Sequence, residues 1–184
     1  MSKEHTMGHR SLLFSIADTS TPKKLLAEVK RIFGLSWPSK AFKPVENAFD
    51  LIEDLFNGRF KGYRACTTEY HDLDHTLDAL LALTRLIDGY NLAVRPMEVQ
   101  RAQNLLRAAL FHDTGYIQAE GDTEGTGAKY TQNHVERSAE FAAKNAGAFG
   151  LGARELEEII TLVRCTDPAA VIEDMPFDSD EQRT

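Results

Sequence analysis

The four internal histidines of this 184-residue chain, His71, His75, His112 and His134, each stand close to a carboxylate. His71 and His75 are interleaved with Asp72, Asp74 and Asp78, Asp113 follows His112 directly, and Glu136 comes just after His134. A neutral imidazole and a carboxylate are the usual ligands of a hard or borderline divalent cation. With only Cys66 and Cys165 in the chain, thiolates are too scarce for a structural zinc knuckle, and the donor set suits a catalytic site with open positions. His71 and His75 are four residues apart, so the spacing predicts that both project from one helix face, with Asp78 one turn further along. A single buried histidine is usually a hydrogen-bonded core residue. The order of the groups points past that reading, because every internal histidine falls in a histidine–carboxylate cluster on consecutive elements. His5 and His9 are assigned to a frayed N-terminus.

The elements that must position these groups read as helix after helix. Thr21-Pro22 is an N-cap followed by proline at the first helical position, and Leu25, Leu26, Val29, Ile32 and Phe33 form one stripe. Val45, Ala48, Phe49, Ile52, Leu55 and Phe56 form a second stripe, opened by Pro44 and closed by Asn57-Gly58. A long helix is predicted from about His71 to Asp88. Another is predicted from about Pro96 to His112-Asp113, with Gly115 as its terminator. Residues 120–131, which carry three glycines and no large aliphatic side chain, read as a mobile rim or lid. Two further helices are predicted, at about 133–146 and 153–165. The expected architecture is a single all-α helical bundle of six or more helices over residues 21–176, between an N-terminal segment at 1–20 and a polar tail at 177–184.

Composition narrows the class of function. The chain is 42% hydrophobic and 27% charged, which suits one domain with a real core and excludes a largely disordered chain. The 21 basic and 28 acidic residues give a net charge of −7, so the basic footprint of a nucleic-acid binder is missing. No apolar run reaches the roughly 18–20 residues that cross a bilayer, and the start lacks a signal-peptide core. Two cysteines offer no disulfide framework, and a reducing cytoplasm is the expected location. Cys66 and Cys165 are taken as small core residues.

The segment Tyr70-His71-Asp72-Leu73-Asp74-His75-Thr76-Leu77-Asp78 and the phrase Leu110-Phe111-His112-Asp113-Thr114-Gly115-Tyr116 carry a resemblance. So do Asn133-His134 with Glu136-Arg137-Ser138-Ala139, and residues 159–167, IITLVRCTD. Together they resemble the HD-domain superfamily of metal-dependent phosphohydrolases. Their order is similar to that in the catalytic domains of cyclic-nucleotide phosphodiesterases. The resemblance spans roughly residues 66–170 and implies that His75, His112 and Asp113 are metal ligands, with Asp113 able to bridge two ions. It implies that His71 donates a proton to the leaving oxygen. His134 and Asp167 are implied either in the surroundings of the ligands or on a second ion. The structural alternatives are a helix N-terminal residue for His134 and a turn residue before Pro168 for Asp167. Asp78 is a candidate to hold an imidazole tautomer, and Tyr70 is placed beside the ligands. The phosphodiesterases carry a further histidine after the HD pair, and here that region holds Tyr116. The superfamily supplies a last aspartate from a further helix. The 17 residues after Asp167 are polar and acidic, so the chain is expected to stop short of its closing helix.

A cation so held would make hydroxide available near neutral pH and neutralise charge on a phosphoryl group. Mn, Fe, Zn, Co, Ni or Mg all suit mixed nitrogen and oxygen ligands, with one or two ions. Lys129, Arg137 and Arg164 are candidate phosphate contacts, each also readable as a solvated surface charge. The expected function is hydrolysis of a phosphate ester of a nucleotide or related small molecule, with no nucleic-acid or membrane partner. Two alternatives follow from the same resemblance: a nucleotide-binding signalling domain without turnover, and a di-iron oxygenase.

Overall fold

The computed structural model describes residues 18–177. The expected segments 1–20 and 177–184 therefore lie almost wholly outside the described residues, as do His5 and His9. Six α-helices follow one another: α1 (Pro22–Phe33), α2 (Lys43–Phe56), α3 (Leu73–Ala93), α4 (Val99–Phe111), α5 (His134–Asn145) and α6 (Ala153–Arg164). Short 3₁₀ turns lie at Ser39–Phe42, Thr114–Tyr116, Gly127–Tyr130 and Ile172–Asp174. Extended pairing among the described residues is limited to one isolated antiparallel bridge, Tyr63 with Ala119, so the fold is all-α. None of the described helices is long and apolar enough to cross a membrane.

The helix starts obey local rules. Thr21 caps α1 by accepting the Lys24 amide at 3.3 Å, with Pro22 at the first helical position. Asp72 caps α3 by accepting the His75 amide at 2.9 Å. This cap moves the start of α3 to Leu73, so His71 is not on the helix at all. It stands in the approach to α3, its carbonyl held by the Thr68 hydroxyl at 2.6 Å. The expected shared helix face for His71 and His75 is therefore replaced by a loop residue and a first-turn residue.

Helix α4 is the central rod and packs against α2, α3 and α6. Its Ala102, Leu106, Leu110 and Phe111 are buried with Ile52, Leu80, Ile159 and Val163 in one core. Each large aliphatic side chain so buried contributes about 1.5–3 kcal/mol. Arg107 is also buried on α4. Its guanidinium bonds to Asn104 and, at 2.8 Å, to Glu155 at the start of α6, while its Nε has no partner. Because α4 ends at Phe111 in the middle of the bundle, His112 and Asp113 emerge where α5 and the segment before α3 converge.

Two expectations about loops need correction. Gly115 is not a helix terminator with left-handed backbone: it lies inside the Thr114–Tyr116 turn and is not among the glycines of positive φ. It is small because α5 presses on it, and a Cβ there would overlap the His134 carbonyl oxygen. Residues 120–131 are not a loose rim. Asp122 receives Lys129 and the Tyr130 hydroxyl, its carbonyl receives Arg64 at 2.7 Å, and the Gly127 amide bonds the Thr67 hydroxyl at 2.9 Å. The lysine and tyrosine hold the Asp122 carboxyl well below the usual carboxylate range.

Candidate metal centre

Asp113 lies two residues beyond the end of α4 with its side chain 2% exposed, the most deeply buried carboxylate of the internal clusters. Four imidazoles surround it. His71 Nδ1 lies 2.8 Å, His112 Nε2 3.2 Å and His75 Nε2 3.5 Å from its Oδ2, while His134 Nε2 lies 3.9 Å from its Oδ1. These rings come from the approach to α3, its first turn, the end of α4 and the first residue of α5. The donor atoms of His71, His75 and Asp113 all fall within 4.8 Å of one another.

Backbone carbonyls decide the tautomers of two of these rings. His112 Nδ1 lies 2.8 Å from the Ala109 carbonyl, and His134 Nδ1 lies 2.8 Å from the Thr131 carbonyl. A carbonyl only accepts, so each Nδ1 carries a proton and donates it. In the neutral ring each Nε2 then turns a lone pair toward Asp113. A backbone acceptor on the far nitrogen is the usual support of a metal-binding histidine.

His112 illustrates the field inside the site. Burial is the largest influence on it and opposes its charge, but the Asp113 carboxylate more than offsets this and raises its pKa above the ordinary histidine value. Burial likewise pushes Asp113 upward, yet His112 and His71 outweigh it and hold the carboxyl below its usual range. A carboxylate that stays ionised among electron-rich nitrogens is a place that draws positive charge.

The donor set fits a divalent cation. Ligand atoms about 2.1 Å from one shared ion lie roughly 3.0–3.4 Å apart in octahedral or tetrahedral arrangements. His112 and His75 stand 3.2 and 3.5 Å from Asp113, close to that range, while the three donors that all lie within 4.8 Å of one another are those of His71, His75 and Asp113, without His112. His71 differs: at 2.8 Å its Nδ1 is at hydrogen-bonding distance, as for a ring N–H donated to the carboxylate.

These groups form the floor of a cleft of about 780 Å³ whose walls include Tyr116, residues 131–136, Arg164 and residues 166–170. Asp167 lines it, though its Oδ1 accepts the Ala169 amide at 2.8 Å and the residue is not among those closing on Asp113. Tyr70 is 68% exposed and lies over both early histidines, its ring 5.1 Å from that of His71 and 4.7 Å from that of His75. Asp78 is elsewhere: it lines a separate groove with residues 19–22, and the carboxylate that bonds His71 is Asp113. The late start of α3 leaves His71 off the helix that carries Asp78.

Two of the candidate phosphate contacts are committed to other partners. Lys129 bonds Asp122 and the Glu124 carbonyl and does not line the cleft. Arg137 bonds the carbonyls of Gly115 at 2.8 Å and Ile117 at 3.3 Å and stacks on Tyr130 at 3.4 Å. It clamps the turn after Asp113 onto α5. Arg164 does line the cleft, in a two-pronged ion pair with Glu136. Cys66 and Cys165 are free and half-buried, and the Cys66 thiol lies 3.1 Å from the Thr68 hydroxyl in the approach to His71.

Sequence reasoning did not single out Ser138. Its hydroxyl donates to the His112 carbonyl at 2.7 Å and accepts the Gly115 amide at 2.8 Å, joining α5 to the turn that carries Asp113. Its one visible signal was its place inside the Glu136-Arg137-Ser138-Ala139 motif, with no chemistry attached to it.

Comparison with known proteins gives one distant likeness and one family. The chain is 26% identical over 98 residues to a phosphatidylserine decarboxylase proenzyme of Clostridium tetani (strain Massachusetts / E88), covering 53% of this chain and 33% of that protein. It thus spans about a third of the length of the curated relative it matches. No solved structure matches it significantly. The model of the HD domain matches residues 72–175, a stretch that contains His75, His112, Asp113, His134 and Asp167 and begins just after His71. That match runs over more than half of the chain and includes the adjacent histidine and aspartate at the floor of the cleft, and the chain therefore belongs to the HD domain family.

Proposed function

We propose that this protein hydrolyses a phosphate ester of a nucleotide or a related small molecule, as a metal-dependent phosphohydrolase. The observation that carries this reading is the buried Asp113 carboxylate on the floor of an open cleft, with the donors of His71 and His75 within 4.8 Å of it and of each other and His112 3.2 Å from it. His75, His112 and Asp113 are the residues that would hold a divalent cation, with His134 turned to the other oxygen of Asp113. When bound, such a cation supplies an acidified water and offsets charge on the phosphoryl oxygens.

The chain's own residues do the rest. Asp113 orients His71 through Nδ1 and thereby aims the opposite ring nitrogen away from the carboxylate. In that orientation His71 is suited to deliver a proton to the departing oxygen. The Ala109 and Thr131 carbonyls keep the lone pairs of His112 and His134 turned inward. Arg164 is the cation on the cleft wall that can meet the substrate anion, while Lys129 and Arg137 keep the framework in place.

The test is turnover by protein loaded separately with Mn²⁺, Mg²⁺, Zn²⁺, Co²⁺, Ni²⁺ or Fe²⁺, against panels of mono-, cyclic and bis-phosphates, with His75→Ala alongside. Metal-dependent release of phosphate or cleavage of the diester by the parent, lost in the variant, is the expected result. Equal residual rates in the two proteins reject the reading. A di-iron oxygenase is a second reading, favoured by the imidazoles of His75, His112 and His134 around one carboxylate, which suit iron. Oxygen uptake with close to two irons per chain and no phosphate release would select it.

A further inference from the structure

Tyr116 ends the short turn that follows Asp113. It is 2% exposed as a residue, yet it lines the cleft. Its ring centroid lies 4.4 Å from that of His71 at an interplanar angle of 15°, and 4.5 Å from that of His134 at 22°. The two imidazole centroids are 6.0 Å apart. Imidazoles stacked on opposite faces of one phenol ring would be at least about 7 Å apart, twice the contact distance of about 3.5 Å between carbon atoms. Both therefore rest on the same face of Tyr116, side by side and each offset from its centre. From this common shelf the two rings reach different oxygens of one carboxylate, His71 to Oδ2 at 2.8 Å and His134 to Oδ1 at 3.9 Å.

The shelf itself is held from several sides. The Gly115 amide is bonded to Ser138, the Gly115 carbonyl to Arg137, and the absence of a side chain on Gly127 lets that residue press against the Tyr116 carbonyl. Thr131 stands beside Tyr116 in the cleft wall, and its hydroxyl donates to the Ala128 carbonyl at 2.7 Å. The carbonyl of the same threonine takes the His134 Nδ1 proton. The turn that carries the phenol face and the helix that carries His134 are thus tied together, with His71 laid against the face from a distant part of the chain.

We infer that Tyr116 is a positioning residue whose ring face sets the orientations of His71 and His134 together. A tilt of this one ring moves the proton-bearing imidazole on one oxygen of Asp113 and the lone-pair imidazole on the other in concert. The face does this work, and the hydroxyl is not required for it. The role in metal binding rests on the phosphohydrolase reading; the coupling of the two imidazoles does not.

The experiment compares the parent chain with Tyr116→Phe, which keeps the face, and Tyr116→Leu, which removes it and keeps an apolar side chain. Proton NMR of the metal-free proteins reads the stacking, because protons above an aromatic face are shifted upfield. The carbon-bound protons of His71 and His134 should be upfield in the parent and in Tyr116→Phe, and should lose that shift together in Tyr116→Leu. Competition with a chromophoric chelator then reads Zn²⁺ affinity, and thermal unfolding reads stability separately. Tyr116→Phe should bind within about twofold of the parent, and Tyr116→Leu about 10–100-fold more weakly, the size of effect usual for residues that orient metal ligands. A Tyr116→Leu protein that loses thermal stability but keeps its Zn²⁺ affinity would show that the ring only fills the core, and overturns the inference. So does a Tyr116→Phe protein as impaired as Tyr116→Leu, because the hydroxyl would then be the working part. If the parent binds none of Zn²⁺, Mn²⁺, Mg²⁺, Co²⁺, Ni²⁺ or Fe²⁺, the phosphohydrolase reading fails, and the inference stands or falls on whether the two imidazole shifts disappear together.

Discussion

His71 Nδ1 lies 2.8 Å from Asp113 Oδ2, a hydrogen bond between residues forty-two positions apart in the chain. The same oxygen faces His112 and His75 at 3.2 and 3.5 Å. One carboxylate therefore orients a ring that carries a proton and stands among rings that offer lone pairs. That division of labour separates the expected behaviour of the histidine variants.

His71→Gln is expected to retain metal affinity within a few-fold of the parent. Its kcat should fall by about 10²–10⁴, the usual contribution of a positioned proton donor. His75→Ala and His112→Ala should instead lose bound metal. Elemental analysis after gel filtration, alongside steady-state kinetics, separates the two classes. Metal loss in His71→Gln equal to that in His75→Ala would place His71 among the ligands.

Asp113→Asn keeps the shape of the side chain and removes its charge. The expected outcome is a folded protein, by circular dichroism, with metal occupancy close to zero at concentrations that saturate the parent. Treating the parent with a chelator should reproduce that state and abolish turnover, and adding back the cation should restore it. Full occupancy in Asp113→Asn would contradict the placement of the cation on this carboxylate.

Gly115→Ala places a methyl group against the His134 carbonyl oxygen and 2.8 Å from the Ser138 amide nitrogen, both backbone atoms of α5. Backbone yields less readily than a side-chain end, so the variant should lose about 1–3 kcal/mol of stability, the usual cost of overpacking. It should also bind metal more weakly, because the displaced helix carries His134. Denaturant unfolding measures the first effect. Parent-like stability would mean that α5 slides away without cost.

Stability should fall on acidification through Glu155. Burial pushes this carboxyl upward, but the Gly152 amide, Arg107 and Gln100 outweigh it and hold the pKa below the ordinary 4.5. A depressed carboxyl contributes stability that is fully present above 4.5 and is lost as pH falls through its folded value. Glu155→Gln should therefore be less stable than the parent at neutral pH by about 1–3 kcal/mol, the cost of leaving a buried charged partner under-bonded. The gap should narrow steadily below pH 4.5. Denaturant midpoints measured at neutral and acidic pH supply the comparison, and a gap that is constant with pH would remove Glu155 as the source.

The helices were legible because their signals are local. Thr21-Pro22 caps and opens α1 as a contact within four residues, and the apolar stripes of α1 and α2 are the faces found buried in the core. The adjacent His112 and Asp113, and the histidines that close on them, were recognisable as residue types able to hold a cation. Local reading also produced the errors. Spacing alone put His71 and Asp78 on one helix face, whereas the Asp72 cap starts α3 two residues after His71, which lines the cleft while Asp78 lines a separate groove. Lys129 and Arg137 were equally plausible as phosphate contacts until Asp122 and the carbonyls after Asp113 claimed them.

The sequence by itself determined that the chain forms a bundle of amphipathic helices and that it carries imidazole and carboxylate donors in a particular order. Helix formation and capping depend on neighbours within a turn, so they are written in consecutive residues. Tertiary structure decided which nitrogen faces which oxygen, that Gly115 and Ser138 bring α5 against the turn after α4, and that Tyr116 lies beneath two imidazoles. Those outcomes depend on how closely separate backbones approach and on which carbonyls take up the spare ring protons, and no spacing along one chain encodes either.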